Sequence, residues 1–312
     1  MIRVEDLTKT YGSTEAIRDV SFHVPRGEIL GFLGPNGAGK TTTMRILTCN
    51  TLPSSGQAFV AGHNVVSDSL RARASLGYMP EVMGLYEDMT VNGYLEFMSG
   101  MKGLAGTEKH RILREIMERT GLAGVRQRLI RNLSKGFRQR VGLAQALSGD
   151  PEVLIMDEPT VGLDPAQIRE FRELVADMRG RRTVILSTHI LQEVAAVCTR
   201  VAIISLGRLA AVGTIGELTE RYAGGNRVRV TAGGDEALAL RTLKGVAGVK
   251  NVVCTVADLP EQGRVYEMEG GEGEPVGAEA ARALCEAGCA VHEITPVRLG
   301  LEEIYMKAIM GE

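Results

Sequence analysis

The sequence predicts an α/β fold built on a buried parallel sheet, with a small α+β domain after it. Three observations carry this. A short apolar strand, Glu28 to Leu33, runs into a glycine-rich turn and then a helix from about Lys40, the opening of an α/β unit. Val153 to Met156 and Thr183 to Ser187 are short continuous apolar runs, the pattern of strands buried on both faces. Beyond residue 226 the pattern reads βαββαβ and a final helix, the order of a ferredoxin-like domain.

In chain order, residues 1–25 alternate apolar and polar (Ile2 and Val4, then Val20, Phe22 and Val24) around a turn near Gly12, which predicts antiparallel strands. The strand–turn–helix unit follows. Residues 108–119 place Ile112, Leu113, Ile116 and Met117 on one helical face. Helical segments at 138–148 and 166–179 separate the later apolar strands. Composition changes at 222–226 (Tyr-Ala-Gly-Gly-Asn), which reads as a linker between domains 1–222 and 227–312. In the second domain the patterning predicts strand 227–232, helix 235–245, strands 250–257 and 264–269, helix 277–287, strand 289–294 and helix 299–310. Gly270 to Gly277 is rich in Gly and Glu and reads as a mobile loop.

Composition narrows the function classes. The 312 residues carry 36 basic and 38 acidic side chains, a formal charge of −2, so a polyelectrolyte nucleic-acid binder is not expected. No apolar run reaches the roughly 18–20 residues that span a bilayer. Met1 to Thr10 mixes charged and apolar residues, unlike a signal peptide, and the expected location is the cytoplasm. Five scattered cysteines (Cys49, Cys198, Cys254, Cys285 and Cys289) read as reduced thiols. Cys285, Cys289 and His292 raise a metal reading, but a zinc site normally takes four ligands. Both cysteines read instead as small buried apolar residues, one on a helical face and one at a strand start.

The chemistry-bearing stretches begin at Gly34-Pro35-Asn36-Gly37-Ala38-Gly39-Lys40-Thr41, which fits G-x-x-x-x-G-K-[ST] at every fixed position. Glycines let the backbone wrap phosphate with its N–H groups pointing inward, and the helix N-terminus adds its positive dipole end. Lys40 supplies charge to the β/γ-phosphates, Thr41 can ligate Mg²⁺, and Thr42 can donate a further hydrogen bond. The alternative is a chance glycine-rich turn, but strand before and helix after are the context the motif demands. Asp157 and Glu158 end the apolar strand Val153 to Met156, where ligands sit in open α/β sheets. There Asp157 can hold the Mg²⁺ shell and Glu158 can accept a proton from an attacking water. The alternative is a solvated loop pair capping a helix; beside the phosphate loop, the metal-and-base reading is the stronger.

Four further features resemble the ABC ATPases. Leu133-Ser134-Lys135-Gly136-Phe137-Arg138-Gln139-Arg140 is similar to their LSGGQ-type motif, and Asp157-Glu158-Pro159-Thr160-Val161-Gly162-Leu163-Asp164 to their Walker B and D-loop run. Ser187-Thr188-His189 resembles the H-loop, and Tyr11 the aromatic that stacks on adenine. The resemblance covers about residues 2–220, with the motifs in the family's order. It implies a P-loop ABC ATPase fold with parallel-sheet core, antiparallel β subdomain and helical subdomain. It also implies ATP and Mg²⁺ as cofactors, and a head-to-tail pair of copies. Ser134 and Gly136 of one copy would then face the γ-phosphate held by the other, with Asp164 at the seam and His189 sensing the γ-phosphate. Two positions depart from the family. Glu81, in Gly77-Tyr78-Met79-Pro80-Glu81, replaces the usual Q-loop Gln and could approach Mg²⁺ or its water; Phe137 and Lys135 stand where the family has Gln and Gly.

The implied function is the ATP-hydrolysing subunit of a transporter, peripheral on the cytoplasmic face of the membrane, with a separate membrane-spanning permease as partner. The pattern resembles the export-type branch of gliding-motility, sodium-efflux and drug-resistance subunits. Met79, Met83, Leu85, Tyr86 and Met89 read either as the permease-docking surface or as core. The competing class is a soluble ABC protein of translation or DNA repair. Those carry two cassettes or a coiled-coil insertion, and this chain shows one cassette and no sustained heptads.

Overall fold

The computed structural model describes residues 1–222, 227–255, 263–271, 276–297 and 299–310. Residues 223–226 of the expected linker, 256–257 of the expected strand and 272–275 of the expected loop lie outside the described residues. The elements run β1 (Ile2–Tyr11), β2 (Thr14–Val24), β3 (Ile29–Leu33), α1 (Lys40–Leu47), β4 (Ser55–Val60), β5 (His63–Asn64), α2 (Ser69–Ala74) and β6 (Leu76–Met79). Then come α3 (Val91–Met101), α4 (Gly106–Arg119), α5 (Lys135–Leu147), β7 (Val153–Asp157), α6 (Pro165–Ala176), β8 (Thr183–Thr188), α7 (Leu191–Val197), β9 (Arg200–Ser205), β10 (Arg208–Thr214) and α8 (Ile215–Tyr222). The remainder is β11 (Arg227–Gly233), α9 (Glu236–Lys244), β12 (Val249–Thr255), β13 (Arg264–Gly270), α10 (Val276–Glu286), β14 (Ala290–Pro296) and α11 (Leu301–Met310). The main segments of two compact units are Met1–Ile215 and Gly216–Lys307.

In the first unit a six-stranded sheet has the order β10-β9-β3-β8-β7-β6, parallel except for β10 at its edge. Every residue of β3, β7 and β8 is buried, as a sheet covered on both faces requires. A second, antiparallel sheet, β2-β1-β4-β5, packs over it. Met44, Ile46 and Leu47 of α1 join Leu30, Phe32 and Ile155 of one sheet and Ile2, Leu7 and Val20 of the other in a single apolar cluster. Each such fully buried side chain stabilises the fold by roughly 1.5–3 kcal/mol. The loop that enters α1 is thus anchored on both sides.

The helical region has the expected apolar face on α4, with Ile112, Leu113, Ile116 and Met117 buried. Helix α5 starts three residues before the predicted 138, because Ser134 caps it by accepting from the Phe137 N–H. The Met-rich stretch divides: Met79 belongs to the buried core, whereas Tyr86 is exposed and stacks edge-on with Tyr94. Among the described residues no helix is long and apolar enough to cross a membrane.

The second unit is an antiparallel sheet of order β12-β13-β11-β14, the ferredoxin-like arrangement the sequence predicts. Val230, Tyr266, Met268, Leu243, Ala280 and Leu284 form its core. One expectation fails here. Cys289 is buried but Cys285 is exposed. Helix α10 buries Val276, Ala280 and Leu284 at spacings of four, and the next position turns about 100° away from that line.

Candidate active site

Strand register sets the site. Leu33 pairs with Thr188 and Asp157 pairs with Ser187 across the adjacent strands β3, β8 and β7. The three segments that follow, from Gly34, His189 and Glu158, therefore leave the sheet at one level, beyond its carboxyl ends. They enclose a cleft of about 460 Å³ lined by Asn36, Gly37, Gly39, Lys40, Thr41, Thr42, Glu81, Glu158 and His189, among others.

The glycine-rich loop has little freedom to vary. Gly39 sits at φ +106, and a Cβ there would lie 2.5 Å from Ile17 Cγ2 and 2.8 Å from the Ala16 carbonyl. A Cβ on Gly34 would lie 2.4 Å from the Ile204 carbonyl oxygen. Ala38 does not line the cleft; its N–H donates to Pro35 and its carbonyl accepts from the Gly207 N–H, which pins the loop. Lys40 is 6% exposed. Its ammonium donates to the Gly34 carbonyl at 2.7 Å and lies 3.2 Å from Glu158 Oε1 as an ion pair. The other oxygen of that carboxylate, Oε2, is 2.9 Å from His189 Nδ1. Glu158 itself adopts φ +47, a left-handed conformation that costs a non-glycine residue of order 1–3 kcal/mol. Its N–H is tied to the Ser187 carbonyl at 2.9 Å.

A neighbouring cavity of about 500 Å³ brings together Thr41, Asp157 and Glu81 with Tyr78, Arg45 and Asn50. Asp157 is 1% exposed, and neither carboxylate oxygen has a hydrogen-bond partner. A buried, unpaired carboxylate is costly unless a cation compensates it. Burial first, and then the charge of Asp157, push the Tyr78 phenol up to about 12. Among the described residues no group of three His, Cys, Asp or Glu side chains could hold a metal alone.

The remaining predicted residues lie elsewhere. Ser134, Gly136 and Asp164 line a second cleft, of about 680 Å³, with Gln167, Arg140 and Glu170. Ser134 caps α5, and Asp164 caps α6 by accepting from the Gln167 N–H at 2.9 Å. Tyr11, at the end of β1, is 45% exposed with the Lys9 ammonium 4.9 Å over its ring, and it does not line the first cleft. Glu193, Thr160 and Thr188 form a buried network beside the segments that carry Glu158 and His189, which the sequence reading did not single out. Its only trace in the sequence is a carboxylate on the otherwise apolar face of Glu193, Val194 and Val197.

Residues 17–161 match the family model described as ABC transporter. The linearmycin resistance ATP-binding protein LnrL of Bacillus subtilis (strain 168) is 34% identical over 260 residues, covering 83% of this chain and 83% of that protein. The chain belongs to the ABC transporter family. Another relative, the Nod factor export ATP-binding protein I of Ralstonia nicotianae, is 36% identical over 244 residues, 78% of this chain and 75% of that protein. The probable multidrug ABC transporter ATP-binding protein YbhF of Escherichia coli (strain K12) is 39% identical over 224 residues, 72% of this chain; the match spans only 39% of YbhF. A solved structure of the ATP-binding subunit of an ABC transporter matches with a TM-score of 0.66 at 30% identity, over 72% of this chain and 93% of that one. The names of these relatives are those of ATP-binding proteins of multidrug transport, linearmycin resistance and Nod factor export.

Proposed function

We propose that this chain hydrolyses ATP to ADP and phosphate with Mg²⁺, as a head-to-tail pair of copies, to drive a separate membrane-spanning partner from the cytoplasmic face. The observation that carries it is the convergence of Lys40, Glu158 and His189 on one cleft at three adjacent strand ends. The backbone N–H groups of residues 36–41 cradle the phosphates, and Lys40 neutralises their charge. Glu158 accepts a proton from water as the water oxygen bonds the γ-phosphorus. The bond from that phosphorus to the β,γ-bridging oxygen breaks, and ADP leaves with the electron pair. His189 holds Glu158 in line through Nδ1 and contacts the γ-phosphate. Thr41 and Asp157 would hold Mg²⁺, with Glu81 reaching its water shell; when bound, the ion neutralises charge on the β/γ oxygens. The unpartnered oxygens of Asp157 fit that role.

The second cleft supplies the other half of the site. Ser134 and the N–H groups at the start of α5 act on the ATP held by the other copy, with Asp164 at the seam. Tyr11 stacks on adenine. Exposed Val82, Tyr86 and Phe97 offer an apolar surface to the membrane partner. The names of the relatives, linearmycin resistance and Nod factor export, favour an exported cargo. The test is phosphate release with Mg²⁺-ATP. Glu158→Gln should lower turnover by about 10²–10⁴-fold while leaving ATP binding intact. Turnover at the parent rate would remove Glu158 from the base role.

A further inference from the structure

We infer that Glu193 is a positioning residue for hydrolysis, clamping the loop that carries Glu158 to the loop that carries His189. The inference rests on the roles proposed above for those two residues. Glu193 lies in the first turn of α7 and is 1% exposed. Its Oε1 accepts from the Thr160 hydroxyl, two residues after Glu158. Its Oε2 accepts from the Thr188 hydroxyl at 3.0 Å, one residue before His189. The Thr188 oxygen in turn accepts from the Ile190 N–H at 3.1 Å, so both neighbours of His189 are tethered. Thr160 is 2% exposed and Thr188 is fully buried. Hydrogen bonds to a carboxylate are the stronger kind, and here one carboxylate spans two loops from separate strands.

The geometry explains what the clamp does. The carboxylate of Glu158 is shared between Lys40 at 3.2 Å and His189 at 2.9 Å, on opposite oxygens. Its left-handed backbone persists only where the surroundings over-determine it. The backbone bond from Glu158 to Ser187 ties the loops at one end, and Glu193 ties them two residues further on. Without the second tie the loops separate, and Glu158 follows Lys40 away from His189. Glu193 is buried and does not line the cleft of Lys40, Glu158 and His189, so its loss should fall on the chemical step and not on binding.

The experiment is single-turnover and steady-state phosphate release by the full chain carrying Glu193→Ala, Glu193→Gln, Thr160→Val or Thr160→Ser, each in the parent and the His189→Ala background. Glu193→Ala should lower kcat by about 10–100-fold, the cost of misplacing a reacting group, with KM held within about twofold. Thr160→Val should lower kcat in the same direction, and Thr160→Ser should restore it. In the His189→Ala background Glu193→Ala should cost nothing further, because residues acting as one unit are not additive. Losses that multiply independently, or a parent-like kcat in Glu193→Ala, would overturn the inference. Where Glu193→Ala does not fold, Glu193→Gln and Thr160→Val carry the same cycle. A parent-like rate in His189→Ala alone would instead sink the proposed role of His189. An impaired His189→Ala with an additive cycle sinks only the clamp.

Discussion

At the scale of single residues, the site is defined by groups whose positions leave no substitute. Lys40 is buried with its ammonium held by two carbonyls and one carboxylate, so its charge is fixed at the mouth of the loop. Lys40→Ala should weaken ATP binding at least about tenfold, or roughly 1.4 kcal/mol, measured by calorimetry or fluorescent nucleotide displacement. Unchanged affinity would place the phosphates elsewhere. Gly39→Ala forces a Cβ against the Ala16 carbonyl at φ +106, which distorts the loop. It should abolish nucleotide binding and destabilise the fold by more than about 1 kcal/mol in urea unfolding. These residues were legible in the sequence because each is tied to a local motif. Glu193 was not, because its partner Thr160 lies 33 residues away in the chain and comes beside Thr188 only once β7 and β8 pair.

At the scale of elements, burial makes its own predictions. Burial first, then Asp157 for Tyr78 and Tyr86 for Tyr94, push both phenols up to about 12. Below about pH 10 both folded and unfolded chains keep these protons. Between about pH 10 and 12 the unfolded chain loses them first, so stability falls as pH rises through that window. The urea midpoint should drop between pH 9 and 11, and drop less in the Tyr78→Phe/Tyr94→Phe variant. An equal drop in both would refute the assignment. Among the cysteines, burial pushes the Cys198 thiol up to about 12, while Cys285 is exposed. A thiol-reactive dye at pH 8 should label Cys285 promptly and Cys198 only on unfolding, read out by peptide mass; prompt labelling of Cys198 would contradict its burial. Apolar strands were readable from composition because β3, β7 and β8 are buried throughout. The short β5 and α2, of two and six residues, carry too little periodicity to be seen. The exposed Cys285 was misread because a helical face shared with Leu284 is broader in pattern than in packing.

At the scale of the whole molecule, the decisive feature is that the predicted residues divide between two separate clefts. Lys40, Glu158 and His189 line the first; Ser134, Gly136 and Asp164 line the second. Sequence order alone could not separate them, since Ser134 and Asp164 flank Glu158 along the chain. The fold does: Glu158 follows β7 into the first cleft beside β8, while Ser134 and Asp164 cap α5 and α6 and line the second. The most direct test of the paired reading is light scattering of the Glu158→Gln chain with Mg²⁺-ATP, with ADP, and with ATP after adding Ser134→Arg. A mass that doubles with ATP, and stays single with ADP or with Ser134→Arg, is the predicted result. A single mass in all three conditions, with ATP shown to be bound, would contradict it.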